Sequence, residues 1–335
     1  MSIPRRSLGD QGLVVPAIGL GCMGLTSFYG RDTEAADPER VIHAAIDAGA
    51  NFLDTSDAYG PFLNEEVVGD AIRGRREDVV LSTKFGVVRT AATADGVQAN
   101  ALCGKADYVR RSCEQSLRRL RTDYIDLYIQ HRLDPDTPVE ETVGALGELV
   151  AEGKVRYIAL CEVGPSTIAR AHATFPLSAI HAEYSLWSRD ADDEVLPKVE
   201  ELGLGFIPYS PLGRGFLTGQ IRRREDLDPD DWRLRSPRFQ GENFQRNLDL
   251  VDRIGDLARD KGVSLAQLAL AWILGRGSHL VPVQGATKLV ELRENLGAVD
   301  VQLSDDEMRA IDEVAPSGAA AGAAWPAGSP GSAKD

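Results

Sequence analysis

The chain has 335 residues, and 43% of them are hydrophobic, which is enough to bury a core of ordinary size. It carries 37 Lys and Arg against 51 Asp and Glu, for a formal net charge of −14. A surface this acidic argues against nucleic acid or an anionic membrane as the main partner, although a local basic or backbone N–H site can still hold phosphate groups.

The N-terminal segment and the cysteines both favour a cytoplasmic protein. The first residues, MSIPRRSLGDQG, have no apolar signal core, and the sequence has no run of about 18 apolar residues to span a membrane. The cysteines Cys22, Cys103, Cys113 and Cys161 form no CxxC pair and no cluster with the spacing of a zinc site. We therefore expect free thiols in a reducing compartment and no bound metal.

The chain opens with a predicted hairpin and then alternates strands with helices. Arg6–Leu8 and Leu13–Val15 are short strand candidates separated by Gly9-Asp10-Gln11-Gly12, a turn sequence. The later predicted strands are Ala17–Gly21, Phe52–Asp54, Val79–Lys84, Ile125–His131, Val155–Leu160, Ala179–Tyr184, Gly205–Tyr209 and Leu280–Val283. The predicted helices are Pro38–Ala48, Asn64–Ile72, Asp107–Leu120, Val139–Ala151, Ser166–His172, Glu194–Glu201, Leu248–Ala258, Leu265–Leu274, Leu289–Ala298 and Asp305–Val314.

This alternation predicts one α/β domain over residues 1–315, a (β/α)8 TIM barrel with an N-terminal β-hairpin and extra C-terminal helices. No linker-like composition interrupts the series, although Gly213–Phe244 forms a long, charged insertion. Residues 316–335, which include SGAAAGAAWPAGSPGSAKD, are of low complexity, and their composition predicts a disordered tail.

The stretch GLGCMG, residues 19–24, has the spelling of a Rossmann dinucleotide fingerprint. That fingerprint requires a helix to open at its last glycine, because the pyrophosphate binds at the helix N-terminus. The residues after Gly24, LTSFYGRDTEAAD, have no helical period, and Asp54 lies about 30 residues on instead of the usual 20 or so. We therefore expect a glycine-rich strand end at the barrel mouth and not a Rossmann unit.

Polar residues stand at the ends of three successive apolar strands. NFLDTSDAYG places Asp54 at one strand end and Tyr59 just beyond it, VVLSTKFG ends on Lys84, and YIDLYIQH ends on His131. Each residue alone has an ordinary structural explanation, as a turn, surface or core group. Since all strands of a barrel end at one face, the four together predict an active site.

The chemistry of these four groups suits carbonyl reduction, in which the substrate takes up a proton and a hydride. Tyr59 is a candidate acid, and the ammonium of Lys84 should lower its pKa. Asp54 can keep the ammonium of Lys84 charged and in a fixed orientation, while His131 can orient the carbonyl by a hydrogen bond. The hydride must come from a cofactor, since no side chain supplies one.

At this point the sequence resembles the aldo-keto reductase superfamily, from about Leu8 to Val314. The motifs are GLGCMG, NFLDTSDAYG with NEEVVG, STKFG, YIDLYIQH, AEYSLWSR, IPYSPLGRGFLTG and ENLGA, and SPRFQGENF is similar to bacterial monomer-type reductases. The resemblance implies a catalytic tetrad of Asp54, Tyr59, Lys84 and His131, a small carbonyl substrate, and NADPH or NADP+ extended over the barrel mouth, with NADH also possible.

The resemblance also implies which residues border the cofactor. Tyr209 would stack on the nicotinamide, Cys161 and His181 would face its carboxamide, and glycines of the SPLGRG turn would let backbone groups approach the pyrophosphate. The other implied cofactor positions are Gly21, Cys22, Met23, Asp54, Glu162, Ser210, Pro211, Leu212, Gly213, Gly215, Leu217, Gly285, Thr287, Lys288, Glu294 and Asn295. The candidate walls of the substrate pocket are Phe28, Tyr29, Trp187 and Trp232.

The chain departs from the family pattern in two places. Cys161 and His181 stand where Ser and Gln are usual, and a Cys/His pair also leaves thiol nucleophile chemistry as an alternative. At the 2′-phosphate position Thr287 replaces a basic residue, only Lys288 remains, and Glu291 on the same helix opposes an anion. We still expect NADPH, because one lysine with a hydroxyl and a helix N-terminus can bind a phosphate.

Two further functions compete with the reductase hypothesis. One is a cofactor-binding regulatory or redox-sensing subunit with slow turnover, which the intact tetrad does not exclude. The other is a barrel enzyme that forms a Schiff base on Lys84, which the glycine-rich SPLGRG turn disfavours because it suits phosphate binding.

Overall fold

The structure is a computed structural model, and it describes residues 3–26, 37–92 and 98–326. The predicted N-terminal hairpin is present, with β1 (Arg5–Leu8) and β2 (Leu13–Pro16) paired antiparallel. In chain order the other strands are β3 (Gly19–Gly21), β4 (Phe52–Asp54), β5 (Val80–Phe85), β6 (Val87–Ala92), β7 (Gln98–Leu102), β8 (Ile125–Gln130), β9 (Val155–Cys161), β10 (Ala179–Glu183), β11 (Gly205–Tyr209) and β12 (Val283–Gly285).

Eight of these strands close into the predicted barrel. Strands β3, β4, β5, β8, β9, β10, β11 and β12 follow one another around it in parallel, and β12 pairs back with β3. The described α-helices are α1 (Pro38–Asp47), α2 (Leu63–Ala71), α3 (Ala106–Leu120), α4 (Val139–Ala151), α5 (Pro165–Thr174), α6 (Val195–Glu201), α7 (Gly241–Lys261), α8 (Leu265–Gly275), α9 (Leu289–Leu296) and α10 (Asp305–Val314). The prediction of a (β/α)8 barrel is confirmed.

Local signals set several helix ends. Helix α1 begins with Pro38 behind Asp37, whose carboxylate accepts a hydrogen bond from the Arg40 N–H at 3.0 Å. Helix α7 ends at Lys261, and the next residue, Gly262, has a φ of 75°, a left-handed conformation that glycine adopts without a steric penalty. Such caps explain why most boundaries lie within one or two residues of the sequence prediction.

Three features of the fold differ from the sequence prediction, and one of them is the last barrel strand, which was predicted as Leu280–Val283 and spans Val283–Gly285. The antiparallel pair β6 and β7 was not predicted, and it interrupts the connection between β5 and α3. Helix α7 begins at Gly241, whereas the pattern predicted Leu248. The early turns of α7 carry buried Phe244 and Asn247 among polar residues, so the apolar period in the sequence starts late.

The hairpin covers the N-terminal end of the barrel. Leu8, Leu13 and Val15 are buried together with interior barrel residues such as Phe52 and Ile129. This packing leaves the opposite end, where the strands terminate, available for a site. A second, larger core lies between the barrel strands and the helices around them.

The C-terminal segment packs against the barrel as far as the structure describes it. Asn247 exchanges two hydrogen bonds with the backbone of Ala321, at 2.9 and 2.7 Å, and Arg214 Nη1 donates to Ala324 O at 2.7 Å. Residues 316–326 therefore differ from the expectation of disorder, because buried side chains of the barrel bond their backbone. Residues 327–335 lie outside the described residues, and the domain boundary at 315 stays a prediction.

Candidate active site

Four polar side chains meet at the C-terminal end of the barrel. Asp54 is the last residue of β4, Lys84 lies one residue before the end of β5, and His131 follows β8 directly. Tyr59 lies in the loop between β4 and α2. Since parallel strands end at the same face of a barrel, their order brings these groups together.

A buried ion pair forms the floor of this site. Lys84 Nζ lies 2.6 Å from Asp54 Oδ2, and the two side chains are 0% and 5% exposed. Lys84 Nζ also donates to Thr55 O at 2.8 Å, and Ser82 Oγ donates to Asp54 Oδ1 at 2.6 Å. Burial alone would raise the pKa of Asp54 and lower the pKa of Lys84, but attraction between the two charges outweighs burial and shifts both pKa values the other way. Both groups are therefore charged at neutral pH.

The hydroxyl of Tyr59 is the next group in the chain of contacts. Lys84 Nζ donates to Tyr59 Oη at 3.3 Å. Burial raises the pKa of Tyr59 to about 12, and the ammonium of Lys84 lowers it only in part. Burial therefore outweighs the ammonium, contrary to the lowered pKa expected from the sequence, and the phenol keeps its proton at neutral pH.

His131 lies beside the tyrosine. Its ring meets the Tyr59 ring edge-on with 5.9 Å between centroids, and its Nδ1 lies 3.2 Å from Ser56 Oγ. Burial and the positive charges of Arg132 and Lys84 lower the pKa of His131 well below its ordinary value. If Ser56 donates to Nδ1, the neutral ring carries its proton on Nε2 and can donate one hydrogen bond to a carbonyl oxygen.

Cys161 and His181 form a buried pair next to the tetrad. The Cys161 sulfur lies 3.5 Å from His181 Nδ1, and the His181 ring stacks on Tyr209 with 5.2 Å between centroids. His181 Nε2 is 3.6 Å from Asp54 Oδ2. Burial lowers the pKa of His181 and raises the pKa of Cys161 to about 12, so the imidazole is neutral and the thiol keeps its proton. A protonated, buried thiol is a poor nucleophile.

Sequence reasoning missed Arg132, which follows His131 directly. Its guanidinium is buried, and Nη1 donates to His131 O at 2.6 Å and to the Cys161 sulfur at 3.0 Å. Nη2 donates to Tyr209 Oη at 3.5 Å. Arg132 thus fixes Cys161 and Tyr209 relative to His131. The available signal was a charged residue directly after His131, at the end of an apolar strand.

Trp325 was also missed, and it brings the C-terminal segment to the barrel mouth. Its ring lies 5.5 Å from the ring of Trp232, and the guanidinium carbons of Arg214 and Arg132 lie 4.5 and 5.7 Å from its centroid. Trp232, a predicted pocket wall, is half-buried in a short 3₁₀ turn. The low-complexity sequence around Trp325 gave no pattern from which this position was predictable.

The other predicted substrate residues have different outcomes. The structure places Trp187 in the core, not at the mouth: its ring is 3% exposed and packs 5.1 Å from Phe216 and 6.1 Å from Phe239, measured between centroids. An aromatic packed from several sides offers no surface to a substrate, so we correct this expectation. Phe28 and Tyr29 lie outside the described residues.

A cleft of about 310 Å³ runs from the loop after β11 to the N-terminal end of α9. The predicted cofactor residues that line it are Ser210, Pro211, Leu212, Gly215, Gly285, Thr287, Lys288, Glu294 and Asn295. Gly24 lines it as well, from the end of the GLGCMG stretch. The cleft thus joins the SPLGRG turn, which the resemblance assigned to the pyrophosphate, to the segment around Thr287 and Lys288, which it assigned to the 2′-phosphate.

The SPLGRG turn and the residues just after it depart from their expected role at three positions. The N–H groups of Gly213, Gly215 and Leu217 donate to the carbonyls of Ser210 and Leu212 at 2.8 to 3.1 Å. They therefore shape the turn and have no free N–H for a phosphate. Gly213 has a further steric reason to be glycine, because a Cβ there would lie 2.6 Å from the Trp187 ring.

The end of β3 explains why GLGCMG is not a Rossmann fingerprint. A single 3₁₀ turn, Met23–Leu25, follows the strand, and the next described helix begins only at Pro38. The Cys22 side chain is fully buried, with its sulfur 3.7 Å from Leu20 O, and its backbone N–H and carbonyl bond Asp54 O and Asn64 Nδ2, each at 2.8 Å. In the barrel, Gly21 of β3 pairs with Asp54 of the neighbouring strand β4 and with Gly285 of the other neighbouring strand, β12.

Glu162 and Asn295 form hydrogen bonds within the fold. The Glu162 carboxylate accepts from the Glu183 N–H at 2.7 Å and joins the ends of β9 and β10. Asn295 Nδ2 donates to Gln284 Oε1 at 2.7 Å and thereby fixes α9 to β12. For these two predicted cofactor residues, the observed contacts are structural.

The residues present fit a bound dinucleotide. Gln284 Nε2 is buried and has no hydrogen-bond partner within the described residues, and the next residue, Gly285, lines the cleft. A buried donor or acceptor without a partner is costly, and a polar ligand in the adjacent cleft would relieve that cost. Within the described ranges, no three His, Cys, Asp or Glu residues cluster as metal ligands, and no helix is long and apolar enough to cross a membrane.

Comparisons with known proteins agree with this architecture. A sequence model described as the aldo/keto reductase family matches residues 17–316. "Probable aldo-keto reductase 1" of Glycine max is 45% identical over 316 residues, which cover 94% of this chain and 90% of that protein. Among solved structures, a glycerol dehydrogenase of Gluconobacter oxydans superposes with a TM-score of 0.84 at 28% identity, covering 94% of this chain and 95% of that one. The holo form of a Bacillus halodurans aldo-keto reductase gives 0.75 at 28% identity, covering 93% and 96%.

Proposed function

Because this chain belongs to the aldo/keto reductase family, an enzyme family that uses nicotinamide cofactors, we propose that it reduces aldehydes or ketones to alcohols, or catalyses the reverse reaction, with NADP(H). NADH is a second possible cofactor. The observation that carries the proposal is the buried chain of contacts from Asp54 through Lys84 to the Tyr59 hydroxyl, at the mouth of a (β/α)8 barrel.

Each member of the tetrad has a separate role in this proposal. Tyr59 Oη donates the proton that the carbonyl oxygen takes up, and Lys84, held by Asp54, stabilises the phenolate left behind. His131 donates a hydrogen bond from Nε2 and orients the carbonyl. When bound, the nicotinamide supplies the hydride that the carbonyl carbon accepts.

The cofactor assignment rests on the shape and chemistry of the cleft. Tyr209, the last residue of β11, offers a ring for stacking beside His181. In the cleft itself, Ser210 and Leu212 offer polar groups of the turn for the pyrophosphate, and Glu294 lines the adenosine end. Thr287 and Lys288, at the N-terminus of α9, lie at the position proposed for a 2′-phosphate, where the Glu291 carboxylate already accepts from their N–H groups. The walls proposed for the carbonyl compound are Trp232 and Trp325, together with Phe28 and Tyr29, which lie outside the described residues.

The site disfavours Schiff-base chemistry. That chemistry requires an uncharged, accessible amine, whereas Lys84 is fully buried and held charged by Asp54.

The cytoplasmic location stays a prediction.

The first experiment mixes purified protein with NADPH or NADH and a panel of aldehydes, ketones and sugars, and follows the loss of reduced-nicotinamide absorbance. We expect cofactor oxidation only when a carbonyl compound is present. Tight cofactor binding without turnover on any carbonyl or alcohol would overturn the proposal in favour of a nucleotide-sensing subunit.

The high pKa of Tyr59 makes the two reaction directions differ in pH dependence. With a pKa of about 12, Tyr59 is protonated across the neutral range, so kcat/KM for reduction should be nearly flat from about pH 6 to about pH 9. Alcohol oxidation needs the phenolate as base and should accelerate as pH rises. Initial rates in both directions across this range check the expectation, and a reduction rate that falls tenfold by about pH 9 would contradict it.

A further inference from the structure

The carboxylate of Glu291 already binds the N-terminus of α9. Glu291 Oε2 accepts hydrogen bonds from the Thr287 N–H at 2.9 Å, from Thr287 Oγ1 at 3.2 Å and from the Lys288 N–H at 3.1 Å. Lys288 Nζ lies 3.9 Å from Glu291 Oε1. All three residues line the far end of the cleft. The donors that would attract a phosphate at this helix end are therefore occupied by a carboxylate.

The other cations that line the cleft are also paired. Arg214 Nη2 lies 2.6 Å from Glu183 Oε2, and Arg233 Nη2 lies 2.6 Å from Asp231 Oδ2, all with nearly buried side chains. Lys288 is the remaining lining cation among the described residues, and its side chain is 64% exposed. A phosphate at this end would meet one solvated lysine that already faces a carboxylate.

We propose that Glu291 determines cofactor preference by opposing the 2′-phosphate, so that the chain binds NADH and NADPH with similar affinity. The inference rests on the proposed function, because it assumes that the cleft holds a nicotinamide dinucleotide. With the nicotinamide beside Tyr59 and Lys84, the cleft directs the adenosine toward α9, and the added charge of NADPH falls near Glu291. A carboxylate is compatible with ribose hydroxyls, which donate to it, but not with a phosphate dianion.

The test measures binding without turnover. Dissociation constants of NADPH, NADH, adenosine 2′,5′-bisphosphate and 5′-AMP are determined by calorimetry for the wild type, Glu291→Gln and Glu307→Gln. Gln keeps the capping hydrogen bonds but not the charge. Glu307 is the matched control, since it caps α10 through Ser304 in the same way, at 2.7 and 3.0 Å, and does not line the cleft.

We expect the wild-type constants for NADPH and NADH to lie within about tenfold of each other. Glu291→Gln should lower the dissociation constants of NADPH and the bisphosphate by roughly tenfold and change those of NADH and 5′-AMP by less than about threefold. Part of the gain in affinity should be lost at high salt. Glu307→Gln should change neither the NADPH/NADH ratio nor the bisphosphate/5′-AMP ratio of dissociation constants. Thr287→Lys, measured in the same way, should bind NADPH more tightly than the wild type does.

Two outcomes would overturn the inference: wild-type protein that binds NADPH more than about a hundredfold tighter than NADH, or a Glu291→Gln protein with unchanged ratios. Failure of the wild type to bind either dinucleotide would overturn the proposed function itself, and the inference with it. The two failures are thus distinguishable in one data set.

Discussion

Tyr59→Phe is expected to lower kcat for carbonyl reduction by roughly 10²- to 10⁴-fold, the usual contribution of a positioned general acid. The substitution removes one oxygen, which accepts from Lys84 Nζ at 3.3 Å, and leaves the ring against His131. The fold and the cleft are untouched, so cofactor affinity should stay within about twofold. Steady-state rates and calorimetric cofactor binding on the same preparation separate the two effects.

A tyrosine at the other end of the barrel is the control for Tyr59. Tyr157 lies in β9 with its hydroxyl near Gly12 of the N-terminal hairpin, far from the strand C-termini. Tyr157→Phe should therefore leave kcat unchanged. A Tyr59→Phe enzyme that keeps more than about a third of wild-type kcat would show that another group supplies the proton.

Lys84→Met is expected to cost about 3 to 5 kcal/mol of stability and to abolish measurable turnover, because it leaves the Asp54 carboxylate buried without its partner. The double variant Asp54→Asn, Lys84→Met removes both charges and should regain much of that stability, but no activity. Urea unfolding of the wild type, both single variants and the double variant gives the coupling energy directly.

The pH dependence of this coupling has a defined sign. The folded pKa of Asp54 is lowered, so its contribution is present above the ordinary carboxyl pKa and is lost as pH falls below it. The folded pKa of Lys84 is raised, so its contribution is present below the ordinary lysine pKa and is lost as pH rises above it. The coupling should therefore be constant from about pH 5 to about pH 9.

A structural ion pair away from the site provides the control. Arg76 Nη2 lies 2.8 Å from Asp126 Oδ2, in a pair that is 15% and 5% exposed. Arg76→Met should lower stability and leave kcat intact.

If the Asp54/Lys84 double variant is as unstable as Lys84→Met alone, pairing of the two charges is not what stabilises them.

The site illustrates which features a sequence encodes locally. Asp54, Lys84 and His131 each stand at or next to the end of an apolar strand, and parallel strands in a barrel end at one face, so their meeting followed from spacing alone. Arg132 follows the same strand as His131 but was not predicted. A charged residue after a strand is common in any protein, and only the structure shows that this one is buried.

The sequence by itself determined the barrel, the hairpin at its base and the gathering of the tetrad, since these depend on the alternation of apolar runs and on chain order. Tertiary structure decided the rest. It placed Trp187 in the core and Trp325 at the mouth, and it let burial prevail over the Lys84 charge in setting the pKa of Tyr59. These outcomes depend on contacts between residues far apart in the chain and on exclusion of water, and a local residue pattern records neither.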